Sequence, residues 1–230
     1  MKKDGTAGKE GKKDRNRALT ELVFILDRSG SMSGLESDTI GGYNSLLEKQ
    51  KQEPGEALVT TVLFDDCVEL LHDRLNLKEI LPMTEKEYFV RGTTALLDAV
   101  GFTINKVVEQ TRRTPREYQP QHTLFVITTD GMENASREFR VEQVRRMIEH
   151  RQERYHWEFL FLGANMDAVA AAEQFGIAED KAVSYHADIQ GTQLNYQVVG
   201  DAVSNLRANK KIDRDWKKRI EEDYESRGKK

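Results

Sequence analysis

Apolar and polar positions fall into blocks along this chain, and the blocks change period. Glu21–Asp27 is a short, almost unbroken apolar run, which predicts a strand buried on both faces. Leu35–Gln52 puts Ile40, Tyr43 and Leu47 on one helical stripe. Ala57–Phe64 predicts a second strand. Asp65-Asp66 marks a turn, and Cys67–Leu75 returns as an antiparallel third strand. Leu96–Val108 repeats apolar residues at 97, 100, 104 and 107, which is helical spacing. Thr123–Thr128 predicts a fourth strand, and Val141–Tyr155 a helix with Val144, Met147 and Ile148 inward. Glu158–Leu162 predicts a fifth strand, followed by an Ala-rich helix over Asp167–Phe175 that Gly176 stops. Ala182–Tyr185 is a short last strand, and Gln193–Leu206 a final core helix.

Strands separated by helices predict an α/β fold. The expected sheet is doubly wound and mostly parallel, with one antiparallel edge strand and helices on both faces. One domain then covers residues 19–206. Residues 1–18 have almost no apolar content and read as a disordered basic tail. Residues 207–230 read as a charged tail or exposed helix, with Trp216 the main apolar feature.

Composition narrows the classes. At 38% hydrophobic and 32% charged, the chain reads as a soluble protein with a heavily charged surface. No apolar run reaches the length of a membrane span, and the basic start has no apolar h-region, so a secretory signal is not expected. A single cysteine, Cys67, allows no intrachain disulfide and no CxxC clamp, which favours a reducing, cytoplasmic setting. The net charge of −4 conceals +4 in each tail and −12 over residues 19–206. An acidic core argues against a nucleic-acid-binding globule, and the basic tails read as solvated.

The candidate chemistry sits where apolar runs end. Asp27, Ser29 and Ser31 follow the first strand at alternate positions, so their oxygens point the same way in an extended segment. Such hard oxygen donors suit Mg²⁺ or Mn²⁺. Gly92-Thr93-Thr94 precedes a helix, and Thr128-Thr129-Asp130-Gly131 follows the fourth strand. If the first and fourth strands are neighbours, all three loops meet at the carboxyl edge, where open parallel sheets bind ligands. Each loop alone has a simpler use: the serines as helix caps, Asp130-Gly131 as a turn. Three in the right order favour a metal site.

Other chemistry fits less well. No GxxxxGK[ST] loop is present, and Gly30-Ser31-Met32-Ser33-Gly34 puts Met32 where a hydrolase nucleophile belongs. Haloacid-dehalogenase-like phosphatases need a second acid where this chain has Ser29. His72, His122, His150, His156 and His186 are scattered and read as surface or strand-end residues. Asp65-Asp66 suits a turn, and Cys67 a structural place on the hairpin. Glu133 and Asn134 suit either the rim of the site or a polar helix start, and Met32 and Leu35 either an apolar lip or packing of the helix start.

The segments DRSGSM, GTTALLDA and TTDGMEN resemble the von Willebrand factor type A domain with its metal-ion-dependent adhesion site, in a bacterial cytoplasmic branch. The family pattern is Asp-x-Ser-x-Ser, a distant Thr, then Asp in a Thr-Asp-Gly setting. The matching residues are Asp27, Ser29, Ser31, Thr94 and Asp130, and Thr93 stands where the family commonly has a second Gly. The resemblance covers roughly residues 20–206. It implies a Rossmann-like fold, with Ser29, Ser31 and Thr94 binding Mg²⁺ or Mn²⁺ directly and Asp27 and Asp130 holding it directly or through water. A partner protein's Asp or Glu then completes the shell. The expected activity is therefore metal-dependent protein binding rather than catalysis. The partner itself is unknown, and the setting could be a substrate-recruiting subunit of an AAA+ ATPase. The rival readings are a metal-dependent hydrolase with Glu133 as base and a nucleic-acid adaptor acting through the basic tails.

Overall fold

A computed structural model describes residues 19–131 and 133–228. The disordered reading of residues 1–18 lies outside the described residues. In chain order the elements are β1 (Leu19–Asp27), α1 (Glu36–Gln52), β2 (Glu56–Phe64), β3 (Val68–Asn76), α2 (Leu96–Arg113) and β4 (His122–Thr129). Then come α3 (Val141–Tyr155), β5 (Glu158–Ala164), α4 (Ala168–Gln174), β6 (Ala182–Tyr185), α5 (Ile189–Arg207) and α6 (Lys218–Arg227).

The strands form one six-stranded sheet in the order β3-β2-β1-β4-β5-β6. Every neighbouring pair is parallel except β2–β3. The sheet is thus the mostly parallel α/β arrangement expected from the alternating pattern. β1 lies between β2 and β4, and the chain winds outward from it in both directions. That makes the carboxyl end of β1 the switch point of the sheet.

Period-two alternation divides β1 between two cores. Leu22, Phe24 and Leu26 pack with Tyr43 and Leu47 of α1 and with Val199 and Val203 of α5. Val23 and Ile25 pack on the other face with Val100 and Ile104 of α2 and Ile148 of α3. On the first face, a Cβ at Gly42 would lie 2.3 Å from the Tyr196 ring, so α1 and α5 approach this closely only because residue 42 is glycine.

Several elements depart from expectation. α5 begins at Ile189 rather than Gln193, because Asp188 accepts a hydrogen bond from Gly191 N at 2.8 Å and caps a first turn with little apolar periodicity. Residues 211–226 are not a wholly exposed or frayed segment. A 3-10 turn over Arg214–Lys217 leads into α6, which packs beside β6 with Ile220 1% exposed. Trp216 Nε1 donates to Asp180 O, and Lys217 Nζ donates to Glu179 O and Ala182 O, each at 2.8 Å. These side chains satisfy carbonyls at an edge strand that has no further strand beside it among the described residues.

Of the histidines expected at the surface or at strand ends, His72 is buried within β3, and His186 lies at the end of β6 as expected but is buried as well. His72 Nδ1 lies 3.0 Å from Thr61 Oγ1 and 3.3 Å from the Tyr43 hydroxyl, and burial pushes its pKa down. His186 is 5% exposed and stacks on Tyr224. Met32 and Leu35 are buried too, so they pack the start of α1 rather than form a lip.

Candidate metal centre

Register places the site. Leu26 pairs with Thr128 across β1–β4, so Asp27 and Thr129 leave the sheet at one height. Asp27 is 1% exposed, and both its oxygens are engaged. Oδ1 accepts from Ser29 N at 2.7 Å, and Oδ2 accepts from Thr129 Oγ1 at 2.5 Å. Tyr88 donates its hydroxyl to Asp27 O at 2.5 Å. The Asp-x-Ser turn is therefore held by hydrogen bonds on its side-chain and main-chain oxygens alike.

The expected donors converge. Ser29 Oγ lies 3.0 Å from Ser31 Oγ, and Ser31 Oγ donates to Asp130 Oδ1 at 2.6 Å. A Cβ built on Gly131 would fall 2.9 Å from Thr94 Oγ1 and 3.4 Å from Ser31 Oγ, so glycine keeps open the space between those two hydroxyls. Thr94 is buried and Thr93 exposed, which places Thr94 rather than Thr93 in the cluster. Asp27, Ser29, Ser31, Thr94 and Asp130 thus form one group at the carboxyl edge.

Burial raises the Asp27 carboxyl to about 6, against the hydrogen bonds from Thr129 and Ser29 and with a smaller push from the Asp130 charge. Burial also raises Asp130, against the Ser31 hydrogen bond. A buried carboxyl and a half-buried one beside three hydroxyls form an oxygen-only donor set, which fits a hard divalent cation. A cation among them would favour the ionised form of both acids.

Residues outside the motif brace this cluster. Asn134 Oδ1 accepts from Thr94 N at 2.9 Å, and Asn134 N donates to Thr94 O at 3.1 Å. Glu133 is neither a free rim group nor a helix start. Its Oε2 accepts from Leu97 N and Ser136 Oγ, and its Oε1 accepts from Ala135 N and Ser136 N. Asp98 accepts from the main-chain N–H groups of Arg137, Glu138 and Phe139. The loop after β4 is thereby fastened to the first turn of α2, immediately after Thr94.

Arg28, the residue between Asp27 and Ser29, is wholly buried. Its Nε donates to Asp65 Oδ2 at 2.9 Å, its Nη2 to Glu69 at 2.7 Å and its Nη1 to Glu87 O at 3.2 Å. Asp65 sits in the expected turn but is also 0% exposed and ion-paired. Burial pushes its carboxyl up, but hydrogen bonds from Arg91, Cys67 N and Arg28 outweigh that and hold it below the usual carboxylate range. Asp65, Asp66 and Cys67 also bring ligand-type atoms within 4.8 Å of one another. Asp65 spends its oxygens on Arg28, Arg91 and Cys67 N, so this group is an ion-pair turn rather than a second metal site. Thr129 and Asn134 flank the recognisable Asp-Gly, so their proximity was a usable signal. Asp65 had none, because its partners lie 37 and 26 residues away.

No protein-family model matches the chain, and no curated protein sequence matches it. Solved structures do. Proximal thread matrix protein 1 from the mussel byssus, with a zinc-occupied MIDAS motif, superposes with a TM-score of 0.54 at 12% identity, covering 82% of this chain and 46% of that one. The D319A mutant of the PilB minor pilin from Streptococcus sanguinis gives a TM-score of 0.54 at 11% identity, covering 84% and 63%. The chain therefore spans about half to under two thirds of these structures. At such identities the likeness shows the fold alone. The chain shares its fold with these structures, and its own six-stranded α/β sheet gathers the motif-matching oxygen donors at its carboxyl edge.

Proposed function

We propose that this protein is a metal-dependent protein-interaction module, working in a cytoplasmic setting, that takes an Asp or Glu of its partner onto a Mg²⁺ or Mn²⁺ site. The observation that carries the reading is the convergence of three separate loops: Thr94 and Ser31 face the space that Gly131 leaves open, Ser31 bonds Ser29 and Asp130, and Asp27 holds Ser29 through its N–H. Ser29, Ser31 and Thr94 would supply neutral oxygens, and Asp27 and Asp130 the negative charge. A divalent ion held by so few carboxylates supplies residual positive charge for an outside carboxylate. Asp27 orients Ser29 through its N–H, and Asp130 orients Ser31 through its hydroxyl.

Binding is favoured over catalysis by the state of Glu133. A general base must reach the proton it abstracts. Glu133 instead spends both oxygens on four hydrogen bonds that hold the loop. No helix among the described residues is long and apolar enough to cross a membrane.

The test is capture of partner proteins from native lysate in Mg²⁺ and in EDTA, with the full chain and its Asp27→Ala variant. Captured proteins should depend on both the metal and Asp27. A partner retained in EDTA and by Asp27→Ala would overturn the reading.

A further inference from the structure

The feature that the binding motif does not explain is the buried ion cluster behind it. A fully buried arginine between two metal-loop residues is costly unless its charge is paired and its donors are used. Arg28 meets that condition through Asp65, Glu69 and the Glu87 carbonyl. Asp65 does more than pair with it. The same Oδ2 also accepts from Arg91 Nε at 2.7 Å, and Oδ1 accepts from Cys67 N at 2.8 Å. The main chain of Asp65 continues the pattern, since its carbonyl accepts from Ala95 N at 2.7 Å.

These contacts join two of the three site loops. Arg28 lies between Asp27 and Ser29, and Ala95 follows Thr94. Arg91 N donates to Arg28 O at 2.9 Å, and Gly30 N donates to Gly92 O at 3.2 Å, so the segment 91–95 lies along the segment 28–30. Phe89 fills the gap between the two arginines, with their guanidinium carbons 5.4 and 5.2 Å from its ring centroid. Among the described residues, Asp65 is the one side chain that bonds an arginine from each segment.

We propose that Asp65 is a positioning residue of the metal centre, which sets the spacing between the Ser29 and Thr94 hydroxyls without itself touching the ion. This rests on the metal reading above. Outer residues that orient metal ligands commonly change metal affinity by about 10- to 100-fold when mutated. Asp65 has the geometry for such a role through Arg28 on one side and through Arg91 and Ala95 on the other.

The experiment is Mn²⁺ binding to the full chain, measured by electron paramagnetic resonance well below the unfolding temperature. The set is the wild type, Asp65→Asn, Arg91→Ala and a control, Val107→Ala. Val107 is buried in the second half of α2, so its truncation lowers stability without touching the site loops. Asp65→Asn should weaken Mn²⁺ binding about tenfold or more, and Arg91→Ala several-fold. Val107→Ala should bind like the wild type despite its lower melting temperature. Arg91 is half exposed, so its variant decides the matter should Asp65→Asn not fold. Wild-type affinity in Arg91→Ala, and in Asp65→Asn where it folds, overturns the positioning role and leaves the metal reading standing. Weakening of Val107→Ala to the same degree also overturns it, because stability alone then accounts for the loss. Absence of Mn²⁺ binding by the wild type overturns the metal reading itself.

Discussion

Ser31 Oγ donates to Asp130 Oδ1 at 2.6 Å, across 99 residues of chain. This hydrogen bond joins the turn after β1 to the turn after β4, and it exists because those two strands are neighbours in the sheet. The two residues belong to separate loops, so a ligand bridging them stabilises the folded state over any partly opened one.

Divalent cation should therefore raise stability, and the increment should require this pair. At a hundred times Kd, a ligand of the folded state contributes about 2.7 kcal/mol. Thermal melts of the full chain should rise with Mg²⁺ and fall back with EDTA. In Asp130→Ala the rise should vanish, and in Ser31→Ala it should require a higher Mg²⁺ concentration.

Glu21 should give the fold a pH dependence far from the metal edge. Its side chain is wholly buried, with Arg74 Nε 3.2 Å away as its ion-pair partner. Burial outweighs that pairing and raises its carboxyl from 4.5 to about 7. A raised acid binds more protons folded than unfolded, so its contribution is fully present below about 4.5 and is lost as pH rises to about 7. The loss is on the order of 2 kcal/mol. Urea titrations at pH 5 and 7.5 should show this fall, and Glu21→Gln should flatten it. An unchanged slope in the variant would remove Glu21 as its source.

Gly42→Ala should destabilise the protein, although alanine is the better helix former. The new methyl would meet the Tyr196 ring at 2.3 Å, forcing α1 and α5 apart. Overpacking of this kind costs about 1–3 kcal/mol. Chemical denaturation measures it, and a gain in stability would mean that the two helices adjust freely.

Ile220→Ala should be as damaging as a core truncation, at about 2–4 kcal/mol. Ile220 is 1% exposed and belongs to the cluster that includes Val183 and Tyr185 of β6. Lys217→Ala should add self-association at high concentration, since Ala182 O and Glu179 O lose their donor at the sheet edge. Denaturation curves report the first effect and light scattering the second.

How far the sequence carried differs from element to element. The run through Val23–Leu26 announced a doubly buried strand, because alternate residues serve two cores and neither face can be polar. Val141–Tyr155 emerged with the bounds that its periodicity predicted. α6 did not, because its charged residues hide one stripe around Ile220, and the need it meets belongs to β6 rather than to itself. Within the site, the matched motif named all five residues that come together. Asn134 lay close enough to the Asp-Gly to be noticed, but the bracing by Glu133 and Asp65 was not legible, since the bonds that fasten them to other loops run to segments at least 26 residues away.

The sequence by itself determined the kinds of atoms available and the local shape of the segments that carry them: strands ending in Asp27 and in Thr128, serines at alternate positions, and threonines before a helix. Those properties follow from periodicity and side-chain chemistry, which operate over a few residues. Tertiary structure decided which atoms meet. Placing β1 beside β4 brought Ser31 to Asp130, burying Thr94 chose it over Thr93, and enclosing Arg28 made Asp65 its necessary counter-charge. These choices depend on strand order and on the cost of leaving a buried charge unpaired, and both are settled only when distant segments pack.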